Sequence, residues 1–134
     1  MIDTLAANAE KTEQQDRPAA GSVRAAREGG AFALATTADA TGAVRTLTAM
    51  GRACPSTAWI AGTCLTAKTM ATTVVGYDEV ALKELFADPD ALICGSGKPG
   101  GLGERTGEGI RVTGRWDVVS GCEDAEWAGL ALMV

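Results

Sequence analysis

The sequence contains no histidine, and this absence excludes whole classes of enzyme. Histidine is the commonest general base in catalysis and the commonest metal ligand among side chains. A Ser-His-Asp hydrolase or a histidine-ligated zinc enzyme therefore cannot be built from this chain alone. The cysteines stand ten or more residues apart, so no C-x-x-C pair is available for a structural zinc site. We expect no metal, and reduced, mostly buried thiols at Cys54, Cys64, Cys94 and Cys122.

Basic clusters, long apolar runs and a secretory leader are absent as well. The net charge of −5 is spread over both halves of the chain, which argues against a nucleic acid partner. No apolar run approaches the ~20 residues that a membrane-spanning helix needs. The N-terminal segment lacks the apolar core of a signal peptide. These absences predict a cytoplasmic protein that binds neither nucleic acid nor membrane.

Aromatic side chains are scarce, at 4% of the chain, although 46% of the residues are hydrophobic. Much of the hydrophobic fraction is alanine, which buries little area per residue. A chain of 134 residues is long enough for one domain and short for two. We therefore expect one packed unit with a thin core.

Helical patterns dominate the first 90 residues. Apolar spacing, caps and breakers predict helices over residues 2–15, 19–28, 43–52, 55–75 and 78–86. Asp3 and Thr4 supply N-cap chemistry for the first helix, and Gly29 and Gly30 end the second. Asp78 is the predicted N-cap of the last helix, whose inward residues are Val80, Leu82, Leu85 and Phe86. The helix from Pro55 is almost uncharged, which predicts a central packing helix. A compatible alternative is that its small polar groups, Ser56, Thr57, Thr63 and Thr66, line a cavity.

Strand patterns follow residue 90. The segments ALICG, IRVTGRWDVV and WAGLALMV are predicted strands, with the glycine-rich SGKPGGLGERTGEG as a loop. The prediction is an α+β fold: a helical domain over 1–90, then part of a small antiparallel β domain over 91–134.

Two glycine motifs in the loop are false leads. GSGKPGG lacks the leading glycine of a phosphate loop and has Pro99 where that loop needs a hydroxyl residue. GSGKPG matches the G-x-G-x-x-G spacing, but no helix pattern follows it. Neither motif predicts a nucleotide triphosphate or dinucleotide site.

Three blocks of the sequence carry a resemblance to a known family. GRACPSTAWIAG, FADPDALICGSGKPGG and VTGRWDVVSGCEDAEWAGLALMV are together similar to the acyl-CoA dehydrogenase superfamily, most nearly to its two-component flavin-dependent monooxygenases. The similarity covers about residues 20–134. In that family a helical domain precedes a small β domain and a C-terminal four-helix bundle, with the flavin between the last two. The resemblance implies a chain that stops inside the β domain.

The resemblance also implies a cofactor, partners and site residues. It implies FAD or FMN, a small-molecule substrate, a flavin reductase as a possible partner, and a homo-oligomer or a complementing chain. The family's flavin-facing pattern, laid on Gly114, puts Ser120 at the hydroxyl position beside flavin N5 and Val118 where dehydrogenases have tryptophan. Ser96 and Gly97 match a flavin-facing strand end, with a plain flexible loop as the alternative. Trp59 resembles a substrate-side position, whereas the scarcity of aromatic side chains favours core packing as its role. No catalytic residue is assigned.

Several functions remain open at this point. The first is a flavin-dependent oxidoreductase that dehydrogenates an acyl thioester or hydroxylates a small organic substrate, carried by an incomplete chain. The others are one subunit of a split enzyme, a non-catalytic remnant that acts in binding or assembly, and a small α+β domain without flavin. Activity of the chain alone is uncertain at the level of sequence.

Overall fold

A computed structural model describes residues 1–73 and 79–134, and in these ranges helices precede strands. The helices are α1 Ile2–Ala7, α2 Ala9–Gln14, α3 Ala20–Glu28, α4 Leu34–Thr37, α5 Ala40–Ala53, α6 Pro55–Thr73 and α7 Glu79–Leu85. The strands are β1 Ile93–Ser96, β2 Gly101–Thr106, β3 Gly109–Gly114 and β4 Trp127–Leu130. The predicted α+β class is confirmed. The predicted division into domains at residue 90 stays a prediction.

The N-terminal helix is shorter than predicted. The single helix expected over residues 2–15 is two helices that meet at Asn8. The side-chain amide of Asn8 donates to the Thr4 carbonyl at 2.9 Å, which satisfies a C-terminal carbonyl of α1 locally. The cap prediction was wrong, because α1 begins at Ile2 with Met1 as its N-cap and no side-chain cap. The end of α3 was predicted correctly: its C-cap is Gly29, and Gly30 follows with φ of 71°.

Helix α6 begins with proline at its first position, where the missing N–H costs no hydrogen bond. It packs against α5 and β1. Its buried residues follow helical spacing along one face: Thr57, Ile60, Ala61, Cys64, Lys68 and Ala71. The opposite face is open, since Trp59 and Met70 are exposed. The prediction of a helix buried on all sides was therefore wrong, because small alanine and threonine side chains can also lie at a surface.

Helix α7 packs less closely than predicted. None of its residues is buried, and Val80 is 70% exposed. Leu85 is partly buried against the core, as expected. The predicted cap at Asp78 lies outside the described residues.

The strands form two separate pairs. β1 and β4 are parallel, with Ile93 opposite Trp127, whereas β2 and β3 form an antiparallel hairpin. The antiparallel expectation therefore holds for the hairpin alone. β2 lies in the segment predicted as a loop, because pairing with β3 orders glycines that have low strand propensity. β3 ends at Gly114, so Trp116 and Val118 lie outside the strand predicted for them.

The core joins the helices to β1. Its largest members include Phe32, Leu5, Met50 and Leu92, each with no exposed surface. The cysteine predictions were correct, since all four thiols are free and only Cys122 is exposed. No helix in the described ranges is long and apolar enough to cross a lipid bilayer. β1 thus belongs to the same packed core as the helices.

A buried lysine ties this core to the turn before β1. The Lys68 ammonium donates to the Phe32 carbonyl at 2.7 Å and to the Pro89 carbonyl at 2.6 Å. Burial lowers the pKa of Lys68 below its usual range, because removal from water disfavours the charged form. Lys68 therefore acts as a hydrogen-bonding link between α6 and two loops.

Candidate functional site

A cleft of about 620 Å³ lies where the start of α6 faces a loop that follows β3. The size is within the range of small-molecule sites. Three chain segments line it: Asp16, Arg17 and Pro18; Pro55, Ser56, Trp59 and Ile60; and Val118 to Glu123. We call this space the α6 cleft.

A glycine sets the distance between the loop and α6. Gly121 has φ of 84°, a conformation that side chains with a Cβ rarely adopt. A Cβ at this position would lie 3.5 Å from Cβ of Ile60 and 3.3 Å from a Leu92 methyl group. The loop backbone thus rests on the apolar side chains beneath it. Because Ser120 and Gly121 are neighbours, as are Trp59 and Ile60, this contact brings Ser120 beside Trp59.

Two exposed apolar side chains and one serine hydroxyl line the α6 cleft. The Trp59 indole Nε1 donates a hydrogen bond of 3.0 Å to Ser120 Oγ. Trp59 is 63% exposed, so the core-packing interpretation of this residue was wrong. Val118 is 84% exposed and has φ of 57°, which is uncommon for a β-branched residue. The arrangement offers apolar surface next to a hydrogen-bonding group, which suits a flat, mostly apolar ring with a polar edge.

The acidic residues of the loop are engaged in ion pairs. Arg17 lies 3.5 Å from the Glu123 carboxylate and 3.8 Å from that of Asp124. Glu126 accepts a hydrogen bond of 2.7 Å from the Leu92 N–H and also pairs with Arg27. These carboxylates therefore tie the loop to Arg17, to Arg27 and to the backbone before β1. Nothing in the sequence pattern marked Arg17 as a residue at this cleft.

Only part of the polar set predicted on α6 reaches the cleft. Ser56 lines it, whereas Thr57 is buried with its hydroxyl 3.2 Å from Cys54 Sγ. Thr63 and Thr66 donate to carbonyls of their own helix. The cavity-lining interpretation therefore holds for Ser56 alone.

A second, smaller cleft of about 200 Å³ lies at the end of β1. Ser96 lines it, together with Lys98, Pro99, Gly100, Arg115, Trp116 and Asp117. Gly97 is exposed and is not among the lining residues of either cleft in the described part of the chain. The structure thus brings Trp59, Val118 and Ser120 together and places Ser96 and Gly97 elsewhere. Their roles toward a cofactor stay predictions.

Metal chemistry has no visible basis in the residues that the structure describes. Within 1–73 and 79–134, no group of three or more histidine, cysteine, aspartate or glutamate side chains could hold an ion.

Comparison with known proteins points in the same direction. No family model matches the chain. The chain is 35% identical over 80 residues to the FADH(2)-dependent resorcinol hydroxylase, oxygenase component, of Rhizobium sp. (strain MTP-10005). The aligned stretch covers 59% of this chain and 19% of that protein.

Solved structures match nearly the whole chain. XiaF from Streptomyces sp., in complex with FADH2 and glycerol, aligns with a TM-score of 0.88 and 25% identity over 96% of this chain and 34% of its own. The 3-HSA hydroxylase of Rhodococcus sp. RHA1 aligns with a TM-score of 0.81 and 28% identity, over 96% of this chain and 35% of its own. The HsaA monooxygenase of M. tuberculosis aligns with a TM-score of 0.81 and 25% identity, over 96% of this chain and 37% of its own.

These likenesses define the class of protein. The chain has the fold of acyl-CoA dehydrogenase-type flavin monooxygenases, and the resemblance found in its sequence is confirmed. It spans about a third of the length of these solved structures, and 19% of the curated relative.

Proposed function

We propose that this chain forms the flavin-facing part of a two-component, flavin-dependent monooxygenase that hydroxylates a small organic substrate. The observation that carries the proposal is the α6 cleft, which is lined by the Ser120 hydroxyl together with the exposed side chains of Trp59 and Val118. The likeness to XiaF, whose structure contains FADH2, supports a flavin as the ligand. Two of the solved relatives and the Rhizobium protein are named hydroxylases or monooxygenases, which favours hydroxylation over dehydrogenation.

The residues of the α6 cleft fit a flavin ring. The indole of Trp59 and the methyl groups of Val118 provide apolar contact, and Ser120 provides a hydrogen bond at a polar edge. A bound reduced flavin supplies the electrons with which dioxygen is activated. The chain's own residues bind and orient the ring. Ser120 holds its edge with a hydrogen bond fixed before reaction, which is how proteins stabilise charge that develops at such an edge.

Partners and location form part of the same proposal. The Rhizobium relative is named an oxygenase component, which supports a separate flavin reductase as the source of reduced flavin. Reduced FAD is the form that the names of the relatives favour over FMN. A homo-oligomeric or complemented assembly and a cytoplasmic location remain predictions from the sequence. Ser96 and Gly97 are proposed to contact the flavin from the end of β1.

A flavin titration tests the proposal directly. The purified chain is titrated without oxygen with oxidised and reduced FAD and FMN, following quenching of tryptophan fluorescence. We expect saturable binding, strongest for reduced FAD. Ser120→Ala should weaken binding roughly fivefold, because it removes one hydrogen bond.

A matched control and a further variant complete the titration. Thr48→Ala removes an exposed hydroxyl on α5, outside the α6 cleft, and should leave binding unchanged. Ser96→Ala tests the contact proposed at β1. The absence of saturable binding for every flavin form would contradict the proposed function. Binding that Ser120→Ala leaves intact would contradict the role of Ser120.

A further inference from the structure

The hydrogen bond between Trp59 and Ser120 has only one possible direction. An indole Nε1–H is a donor and never an acceptor, so Ser120 Oγ is the acceptor in this 3.0 Å contact. A serine hydroxyl can also donate one hydrogen bond of its own. Within residues 1–73 and 79–134, no acceptor is assigned to the Ser120 hydroxyl hydrogen. That hydrogen is therefore available to a ligand in the α6 cleft.

The backbone of Trp59 belongs to a helix that is packed against the core. Trp59 belongs to α6, and its neighbour Ile60 is 3% exposed in the core. The loop carrying Ser120 is seated on Ile60 through Gly121. Trp59 is 63% exposed, so core packing does not fix the orientation of its indole, and the hydrogen bond to Ser120 is a polar contact that does.

We propose that Trp59 is a positioning residue for Ser120. Its N–H occupies a lone pair of Ser120 Oγ, so that rotation about the Cβ–Oγ bond favours orientations with the hydroxyl hydrogen in the cleft. There Ser120 donates to an acceptor atom at the edge of the flavin ring. The inference rests on the proposed function for the identity of the ligand, whereas the hydrogen bond that carries it exists without ligand.

The first experiment measures this hydrogen bond in the ligand-free chain. The indole N–H proton signal that disappears from the NMR spectrum in Trp59→Phe is assigned to Trp59. We expect that signal to move upfield in Ser120→Ala and to exchange with solvent roughly fivefold faster, because the N–H has lost its acceptor. The indole signals of Trp116 and Trp127 serve as internal controls and should stay in place. A Trp59 signal that Ser120→Ala leaves unchanged overturns the inference, whatever the flavin titration shows.

The second experiment is a double-mutant cycle on flavin affinity. Trp59→Phe keeps an aromatic ring and removes the donor, and it should weaken binding roughly fivefold when Ser120 is present. In the Ser120→Ala background the same change should have less than about a twofold effect. Trp127→Phe is the control, because no hydrogen bond is assigned to the Trp127 indole N–H in the described part of the chain.

The outcomes of the cycle separate the two proposals. Equal weakening by Trp59→Phe in both backgrounds would mean that the lost affinity comes from the indole's own contact with the ring and does not depend on Ser120, and it would overturn the positioning role. No weakening in either background would overturn it as well. If the unmodified chain binds no flavin, the proposed function fails, while the NMR measurement still decides whether Trp59 holds Ser120.

Discussion

At the scale of single residues, α6 carries two buried, ionisable side chains, Cys64 and Lys68. Lys68 donates to two carbonyls, and Cys64 Sγ accepts from the Ile93 N–H at 3.4 Å. Together they connect α6 to the segment that enters β1. Burial shifts their pKa values in opposite directions, down for Lys68 and up for Cys64.

We predict that Lys68→Met destabilises the fold by about 2 kcal/mol. The variant keeps the length of the side chain but removes the ammonium donor from the carbonyls of Phe32 and Pro89, while relieving the cost of a buried charge. Urea unfolding followed by circular dichroism measures the change. Lys83→Met, on the exposed side of α7, is the matched control and should change stability by less than about 0.5 kcal/mol. An unchanged midpoint for Lys68→Met would contradict the linking role.

The buried Cys64 thiol should make the free energy of unfolding depend on pH. Its pKa is raised above 9.0 chiefly by burial, so above that pH the unfolded thiol loses its proton while the folded thiol keeps it. The unfolded state then binds fewer protons, and stability falls as pH rises, by up to about 1.4 kcal/mol per unit from this group. Unfolding at pH 8 and pH 10 should therefore show a steeper loss for the unmodified chain than for Cys64→Ala. Parallel losses would show that Cys64 does not contribute.

At the scale of elements, the hairpin of β2 and β3 depends on glycines that face a tryptophan. Gly101 is opposite Gly114, and a Cβ on Gly101 would lie 2.6 Å from the Trp116 ring. A Cβ on Gly114 would lie 2.6 Å from the Gly100 carbonyl oxygen. The Trp116 indole also donates to the Ala131 carbonyl at 2.7 Å. Side chains at the two paired glycines would push this ring away from the strands.

We predict that Gly114→Ala destabilises the chain by about 1–3 kcal/mol through overpacking against Trp116 and the backbone. Gly107→Ala is the control, since a Cβ in that hairpin turn meets nothing within 4 Å. It should change stability by no more than about 0.5 kcal/mol. Thermal unfolding of the two variants compares them directly. Equal stabilities would mean that the hairpin and Trp116 adjust freely.

At the scale of the whole molecule, a group of exposed apolar side chains lies where the hairpin of β2 and β3 meets the C-terminal segment. Around Gly103 lie Ile110, Leu132 and Val134, and Val112 is its partner across the hairpin. We call this group the hairpin face. Ile110, Val112 and Val134 are 49%, 45% and 70% exposed. Contiguous exposed apolar groups favour association.

We predict that the chain as given self-associates through the hairpin face. Ile110→Glu should raise the dissociation constant more than about tenfold, because burying an unpaired carboxylate at an interface is costly. Sedimentation across a concentration series measures this. Val44→Glu, at another exposed valine on α5, should have no such effect. A monomer at all concentrations would contradict the prediction.

The candidate site was predictable from the sequence only in part. A family pattern placed Ser120 and Val118 near a flavin, and a block similarity singled out Trp59. The direct hydrogen bond between Trp59 and Ser120 was not predictable, because 61 positions separate them. Strand β2 was also missed, because its glycines order only when β3 pairs with them.

The sequence by itself determined the class of fold, the classes of chemistry excluded by the lack of histidine, and the glycine end of α3, since these follow from composition and local backbone preference. Only the tertiary structure decided that Trp59 is exposed at a cleft, that Lys68 is buried between two carbonyls, and that β1 pairs in parallel with β4. The reason is physical: these features depend on where distant segments return to pack, and local propensity carries no information about that return.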